Sequence, residues 1–465
     1  GKNINVSLGT SDVFGAALSL DGNRLVVGAP YGDGSGNSRS GSGEIYLYTF
    51  TDSVFSGGEL AANIGYGYSG GKNINQSSLR TSDYFGWSVS LDGNQLVVGS
   101  MGGDGSGNSR TNSGDVYLYT ISSPSDSISS AVFATNASSN STITPTTITT
   151  ALSAGTNVVL QANNDITVSN TVTANNASGN GGNLTLQAGR SVLVNANITT
   201  DNGNLTLIAN DLTSNGVVDA QRDSGTAVIT LASGTTMNTG TGVFTSTIRA
   251  GTGKTNRTSG DITLSSITAG SLVATNSGPT SGSDILDNGV LTIAGTSSFT
   301  TSVSNADITL DSANALTGAV TLNTTGSSGN ATIDNGTTAL IIAQSSVGGN
   351  LALTSGHASG ITDSGTVTVG GNLSATTDAN NGVVNLGTLA VDGTVAVTTN
   401  GSGNATLVND AGLNFAASTV RGNLLATATT GNITDSGALA ITGTSSFTTS
   451  ANNATIALNT TTNAF

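Results

Sequence analysis

The 465-residue chain carries 12 Lys+Arg against 27 Asp+Glu, a formal net charge of −15, and only 8% of its residues are charged, so its polarity rests on Ser, Thr, Asn and Gly. With 12 Lys+Arg in 465 residues, no extended Lys/Arg patch is present to neutralise phosphate, which argues against nucleic acid and anionic membrane surfaces as partners, and the absence of cysteine removes disulfides and thiolate metal sites. With 36% hydrophobics, 4% aromatics and 64 glycines, the chain is too apolar for disorder and too poor in bulky residues for an ordinary globular core; a thin, stacked core of small side chains fits.

No run of about 18 apolar residues occurs, so no helical membrane span is expected. The chain opens on Gly1 without a charged-then-apolar signal segment. Gly1 to Asn5 (GKNIN) recurs as Gly71 to Asn75, which reads as a start partway into a repeat. The expectation is a fragment whose secretion signals lie elsewhere.

The first 121 residues hold one and three-quarter copies of a unit of about 70 residues. Asp12 to Pro30 (DVFGAALSLDGNRLVVGAP) returns as Asp83 to Met101 (DYFGWSVSLDGNQLVVGSM), with Phe14 and Phe85 offset by 71. The match runs on through GDGSGNSR and then EIYLYT (Glu44 to Thr49) or DVYLYT (Asp115 to Thr120). Alternating apolar residues around an Asp-Gly turn predict two short strands joined as a hairpin, and Ile45 to Tyr48 supplies a third. Several antiparallel strands per repeat with Gly-rich connections read as a propeller blade.

Phe14-Gly15 followed by Gly28-Ala29-Pro30 is the FG-GAP signature, so this region resembles the blade repeats of integrin α-chain propellers and their bacterial relatives. The second copy departs, with Gly99-Ser100-Met101 in place of the GAP triplet. Fewer than two copies cannot close a ring, so further blades are expected elsewhere or the units stack differently.

From Ser122 to about residue 150 the Ser/Thr/Asn-rich sequence carries no period and is read as a linker. From Ala151 to Phe465 a shorter theme recurs: GGNLTL (Gly181 to Leu186), GNLTL (Gly203 to Leu207), GDITL (Gly260 to Leu264), GAVTL (Gly318 to Leu322) and GGNLAL (Gly348 to Leu353). Two apolar residues flank one small one, sending Leu184 and Leu186 to one face and Thr185 to the other. Recurrence every 20 to 30 residues or so suits one solenoid coil, giving about 12 to 16 coils and a rod on the order of 60 to 75 Å. Longer blocks are superposed, with Thr296 to Ser302 returning at Thr444 to Ser450 and Gly329 to Thr332 at Gly403 to Thr406, offsets of 148 and 74.

The stretches Ala151 to Asn176 and Gly181 to Asp211 resemble the filamentous haemagglutinin type of large exoprotein. The resemblance implies a right-handed parallel β-helix exported through an outer-membrane pore partner and serving attachment. The expected fold is therefore all-β: FG-GAP blades over 1–121, a linker over 122–150, and a parallel β-helix over 151–465.

Candidate sites are sparse. The blade loops place Asp33, Ser35 and Asn37, with Glu44 behind them, and in the second copy Asp104, Ser106 and Asn108, with Asp115. Oxygens at alternate positions are hard ligands of the kind calcium takes, although a single Asp per loop makes the set weak beside a plain Gly/Asn turn. Gly251 to Thr255 imitates the end of a phosphate loop but has Ile248 where Gly is needed. His357, the lone histidine, sits in a Gly/Ser turn. Asp284, Asp287, Asp363 and Asp435 would be the carboxylates of a sugar hydrolase, yet they fall at turn-like corners such as ITDSG. Arg249, Lys254 and Arg257 form the one basic cluster in the sequence. Trp87, where the first copy has Ala16, reads as a packing difference rather than a ligand platform.

The function expected is a non-enzymatic, extracellular bacterial cell-surface protein, a piece of a giant adhesin. Its partners would be surface glycans or proteins of a host or neighbouring cell, together with the secretion pore. The alternatives are a carbohydrate-active β-helix enzyme and a passive surface-layer or fibre component, the latter needing Thr-x-Thr motifs in strict coil register.

Overall fold

The computed structural model describes residues 8–465 apart from 23, 51–54, 56–57, 70–72, 93–94, 106, 108, 121–130, 134–139, 251–257 and 281. The chain is all-β, with 47% of residues in strands and 5% in helix, and divides into two units, 1–124 and 125–465.

In the first unit the expected hairpin forms: β1 (Ala17–Asp21) pairs antiparallel with β2 (Arg24–Ala29), and Gly22 at φ 58° supplies the positive dihedral of the turn. β3 (Glu44–Thr49) adds to β2, and β4 (Glu59–Gly65) adds to β3 and carries the short parallel β5 (Ile74–Asn75). The second repeat gives β6 (Phe85–Asp92), β7 (Gln95–Ser100) and β8 (Asp115–Thr120) in the same antiparallel order. The strand β4 was not expected from the sequence. Its counterpart falls near Ala131 and Phe133, which belong to the second unit: the Gln161 N–H donates to the Ala131 carbonyl at 2.7 Å and the Asn163 amide to that of Phe133 at 3.0 Å.

The second unit is a parallel β-solenoid of about 13 turns. Two 15-stranded sheets run its length and one 6-stranded sheet accompanies them over the first part, every pairing between successive coils being parallel. Sheet A begins at Val158–Ala162, sheet B at Ile166–Val168 and the short sheet C at Val172–Thr173. Parallel strands cannot be joined by hairpins, so each coil returns through corners before it pairs with the last. Coil length varies, from 26 residues (Val158 to Leu184) to 21 (Leu184 to Leu205), 39 (Leu205 to Phe244) and again 21 (Leu340 to Ile361). Sheet C ends at Ala315–Leu316, after which the coils have two sides.

The core is the expected stack. Val158, Leu184, Leu205, Phe244 and Leu272 follow one another in register, each 1% exposed or less. Each such side chain contributes roughly 1.5–3 kcal/mol by leaving water, and its neighbours are the same column one coil away. The bulky residues are compensated within their own coil: Phe244 has Ser246 two residues on, and Phe299 has Ser297 two residues before, all four buried. Corners are tightened by glycine. Gly349, Gly371 and Gly393 stack through N–H to carbonyl bonds of 2.8 to 3.0 Å, and a Cβ on Gly371 would lie 2.8 Å from the Gly349 backbone.

The Ser/Thr-rich stretch read as a linker differs in part from that expectation. Pro145–Ser153 is a helix, with Pro at its first turn, that turns Ile148 and Leu152 onto the solenoid core. The Gly182 N–H bonds to its Leu152 carbonyl at 2.8 Å, so the helix covers the first coil. Helix propensity in PTTITTALS is poor, and the apolar end of the solenoid, not local preference, holds it.

Seven half-turns, an odd number, separate successive copies of a related corner motif 76 and then 72 residues apart, so the copies land on opposite sheets. ILD at Ile285–Asp287 lies in sheet B, ITD at Ile361–Asp363 in sheet A, and ITD at Ile433–Asp435 in sheet B again. The two copies of SSFTT, 148 residues apart, both lie in sheet A.

Candidate functional surface

The blade loops are closed on themselves. In the first repeat, Asp33 Oδ1 accepts the Gly41 N–H at 2.8 Å and the Asp33 carbonyl accepts the Arg39 N–H at 2.8 Å. The second repeat reproduces both, with Asp104 Oδ1 taking the Asn112 N–H at 2.9 Å and its carbonyl taking that of Arg110 at 2.8 Å. Ser35 and Asn37 lie in the turn between, where the Ser35 N–H bonds to the Tyr66 carbonyl and Asn37 holds φ 53°. The Arg39 guanidinium lies 3.5 Å over the ring of Tyr66, fixing the loop's far side. Ser106 and Asn108 fall outside the described residues.

Glu44 is buried beside the Gly32 backbone. It is 3% exposed and accepts the Tyr46 hydroxyl at 2.6 Å and the Tyr68 hydroxyl. Burial pushes its pKa above the ordinary 4.5, against the lowering effect of the two hydroxyls, and the nearby Asp12 and Asp33 add to the rise. Its counterpart Asp115 is half-buried. Among the described residues no three acidic or histidine side chains converge to hold a metal ion.

On the solenoid, the corner carboxylates bond to the backbone of the following coil. Asp287 Oδ1 takes the N–H groups of Asp311 and Ser312, and its Oδ2 takes the Asn314 amide at 2.8 Å. Asp363 takes the N–H groups of Gly387 and Thr388, and Asp435 those of Asn459 and Thr460. Asp261, Asp284 and Asp307 continue as a ladder into Asn330, Asn350 and Asn372, each oxygen capping the next coil's N–H at 2.7 to 3.0 Å. Burial raises the pKa of Asp284 and of Asp287; Asp261 and Asp307 add to the rise at Asp284, and Asp311 to that at Asp287. The sequon asparagine Asn204 belongs to a second ladder, accepting the Val243 N–H at 2.8 Å.

His357 closes its own turn, with Nδ1 accepting the Ser359 N–H at 3.0 Å. Arg249 pairs with the buried Asp211 at 2.9 Å, while Lys254, Arg257 and the phosphate-loop imitation at 251–255 lie outside the described residues. The outward Thr column of sheet B is interrupted by Leu193 and Leu286, so Thr does not keep strict coil register.

One feature was not legible in the sequence. Tyr31, Tyr84 and Trp87 form an aromatic group with ring centroids 5.1 to 6.4 Å apart, and Tyr31 and Trp87 are 41% and 43% exposed. The 71-residue offset pairs Tyr31 with Gly102 and Tyr84 with Val13, so the group is unique to the junction of the two repeats.

Residues 8–48 and 76–119 match the FG-GAP repeat family model. The chain carries FG-GAP repeats. Within the solenoid, residues 250–323, 328–383 and 402–465 match a model described as repeats of unknown function (DUF5649), and their starts, 78 and 74 residues apart, are close to the 74-residue block. No curated protein and no solved structure matches the chain.

Proposed function

We propose that the chain is a non-enzymatic segment of a secreted bacterial surface adhesin of the filamentous haemagglutinin type. In this arrangement the solenoid serves as a spacer and the FG-GAP pair bears the contact surface. The observation that carries it is the Tyr31–Tyr84–Trp87 group, in which Tyr31 and Trp87 are exposed and Tyr84 half-buried, an apolar platform with hydroxyl and indole N–H handles of the kind that packs on sugar rings or protein side chains. The solenoid corners support a spacer role, because their carboxylates cap backbone rather than face one another across a cleft. Partners on this reading are glycans or proteins of another cell surface.

The test is binding of the labelled full chain to a glycan array and to cultured cells, beside Trp87→Ala. Binding that falls at least tenfold in the variant supports the assignment. Absence of binding by the wild-type chain to any surface would favour a passive fibre component, and release of reducing sugar from a polysaccharide would favour the enzyme.

A further inference from the structure

The two FG-GAP repeats pack through a contact with two unlike halves, and each repeat carries both. The first repeat presents Val26, Ile45, Leu47 and Ile64; the second lays Phe85, Leu91, Leu96 and Val98 on them, in one buried cluster. Carrying the 71-residue offset across this contact identifies a half left unused on each repeat.

On the second repeat, the counterparts of Val26, Ile45 and Leu47 are Val97, Val116 and Leu118. The first three are 0%, 0% and 6% exposed, whereas the latter are 37%, 69% and 78% exposed. On the first repeat, the counterparts of Val89 and Leu91 are Leu18 and Leu20. Leu91 is 6% exposed and Val89 packs against the same cluster, but Leu18 and Leu20 are 62% and 54% exposed. On the first repeat this half is already shaped, and apart from Leu18 and Leu20 it is partly covered, Val27, Tyr46 and Tyr48 being buried with Phe50. Phe14 meets Tyr46 and Tyr48 edge-on at 5.2 and 6.5 Å, as Phe85 meets Tyr117 and Tyr119 at 5.3 and 6.2 Å.

We propose that the FG-GAP pair docks head-to-tail on a second copy of this chain, the Leu18–Leu20 face of one copy's first repeat seating on the Val97–Val116–Leu118 face of another's second repeat. The occupant is a second copy because the two faces are complementary halves of a contact the chain already makes. The two segments that match the FG-GAP model, 8–48 and 76–119, each contribute one half to the contact described and leave the other half exposed in part. A glycan is a poor fit, since Val97, Val116 and Leu118 offer it no side-chain polar group. The contact is heterologous, so it propagates into rings or chains rather than stopping at a symmetric dimer.

The test uses the full chain in sedimentation velocity over a wide concentration range, with Leu118→Asp to block the receiving face and Leu18→Asp to block the inserting face. Both side chains are exposed, so the fold is expected to survive, as a thermal melt would verify. Wild-type mass is expected to rise with concentration and each variant to stay at the monomer mass. An equimolar mixture of the variants, which keeps one good face on each partner, is expected to double in mass and stop there. A wild type that stays monomeric, variants that associate like wild type, or a mixture that stays monomeric would each overturn the proposal.

Discussion

Asp363 and Asp435, the aspartates of the two ITDSG copies, make the same pair of hydrogen bonds from opposite sheets of the solenoid. Asp363 accepts the N–H groups 24 and 25 residues ahead, Gly387 at 3.0 Å and Thr388 at 2.7 Å. Asp435 does the same with Asn459 at 3.0 Å and Thr460 at 3.2 Å. The carboxylate is thus a corner device that works on either side of the coil, because the two long sheets present the same local backbone to it.

Replacing Asp363 with Ala leaves two N–H groups without that partner and is expected to cost about 1–3 kcal/mol. Asp363→Asn keeps one acceptor and should cost less. Because a coil touches only its neighbours, the loss should be local: amide exchange at Gly387 and Thr388 should quicken while that at Leu184 and Leu205 stays unchanged. Uniform acceleration along the whole solenoid would sink this account.

The Phe-Ser pairing inside single coils makes a second prediction. Ser246 and Ser297 have buried hydroxyls with no hydrogen-bond partner in the structure, so the small size of serine rather than its hydroxyl fits it beside Phe244 and Phe299. Ser246→Ala should be neutral or stabilising by up to about 1 kcal/mol, since a buried unpaired hydroxyl is removed. Ser246→Leu should destabilise by about 1–3 kcal/mol through overpacking. Urea unfolding monitored by far-UV circular dichroism would rank the three proteins, and a less stable Ala variant would show that the hydroxyl does have a partner.

The solenoid was legible because its signal is local. Leu184-Thr185-Leu186 names its inward and outward faces by alternation alone, and the Asp-Gly turns of the blades name their own dihedrals. What escaped depends on contacts between distant residues. The helix Pro145–Ser153 has no strong propensity and exists because Ile148 and Leu152 find the open coil end; β4 has no second copy to reveal it. The aromatic group escaped for the same reason, since Tyr31 and Tyr84 meet only after two repeats have packed. The exchange of sheets from one corner motif to the next follows from coil length, which the sequence gives only as a range.

Calcium provides a third test, aimed at the loop oxygens. Asp33 and Asp104 each have Oδ1 bonded to a backbone N–H eight residues on, leaving one carboxylate oxygen per loop for a cation that takes six to eight. Chelator-treated protein is therefore expected to melt at the same temperature with and without added calcium. Asp33→Ala should lower the stability of the FG-GAP unit by about 1 kcal/mol under either condition, the loss of a loop-closing bond. A melting temperature that climbs on calcium addition in wild type but not in Asp33→Ala would instead assign the loop as a cation site.

Glu44 makes the stability of the FG-GAP unit depend on pH in a direction opposite to most carboxylates. Its folded pKa is raised above 4.5 by burial, so the native state holds the proton more tightly than the unfolded chain does. Below pH 4.5 both states are protonated and the group's favourable contribution is fully present; it declines as pH rises and is lost above the folded pKa. Asp83, 2% exposed and likewise raised by burial, acts in the same sense. Glu44→Gln should therefore melt higher than wild type at pH 7, and the difference should close as the pH is lowered toward 4.5. The general easing of repulsion in a chain of net charge −15 affects both proteins alike and cancels in the comparison. A difference that stays constant with pH, or a variant that melts lower at pH 7, would mean that Glu44 is ionised and held in place by the Tyr46 and Tyr68 hydroxyls.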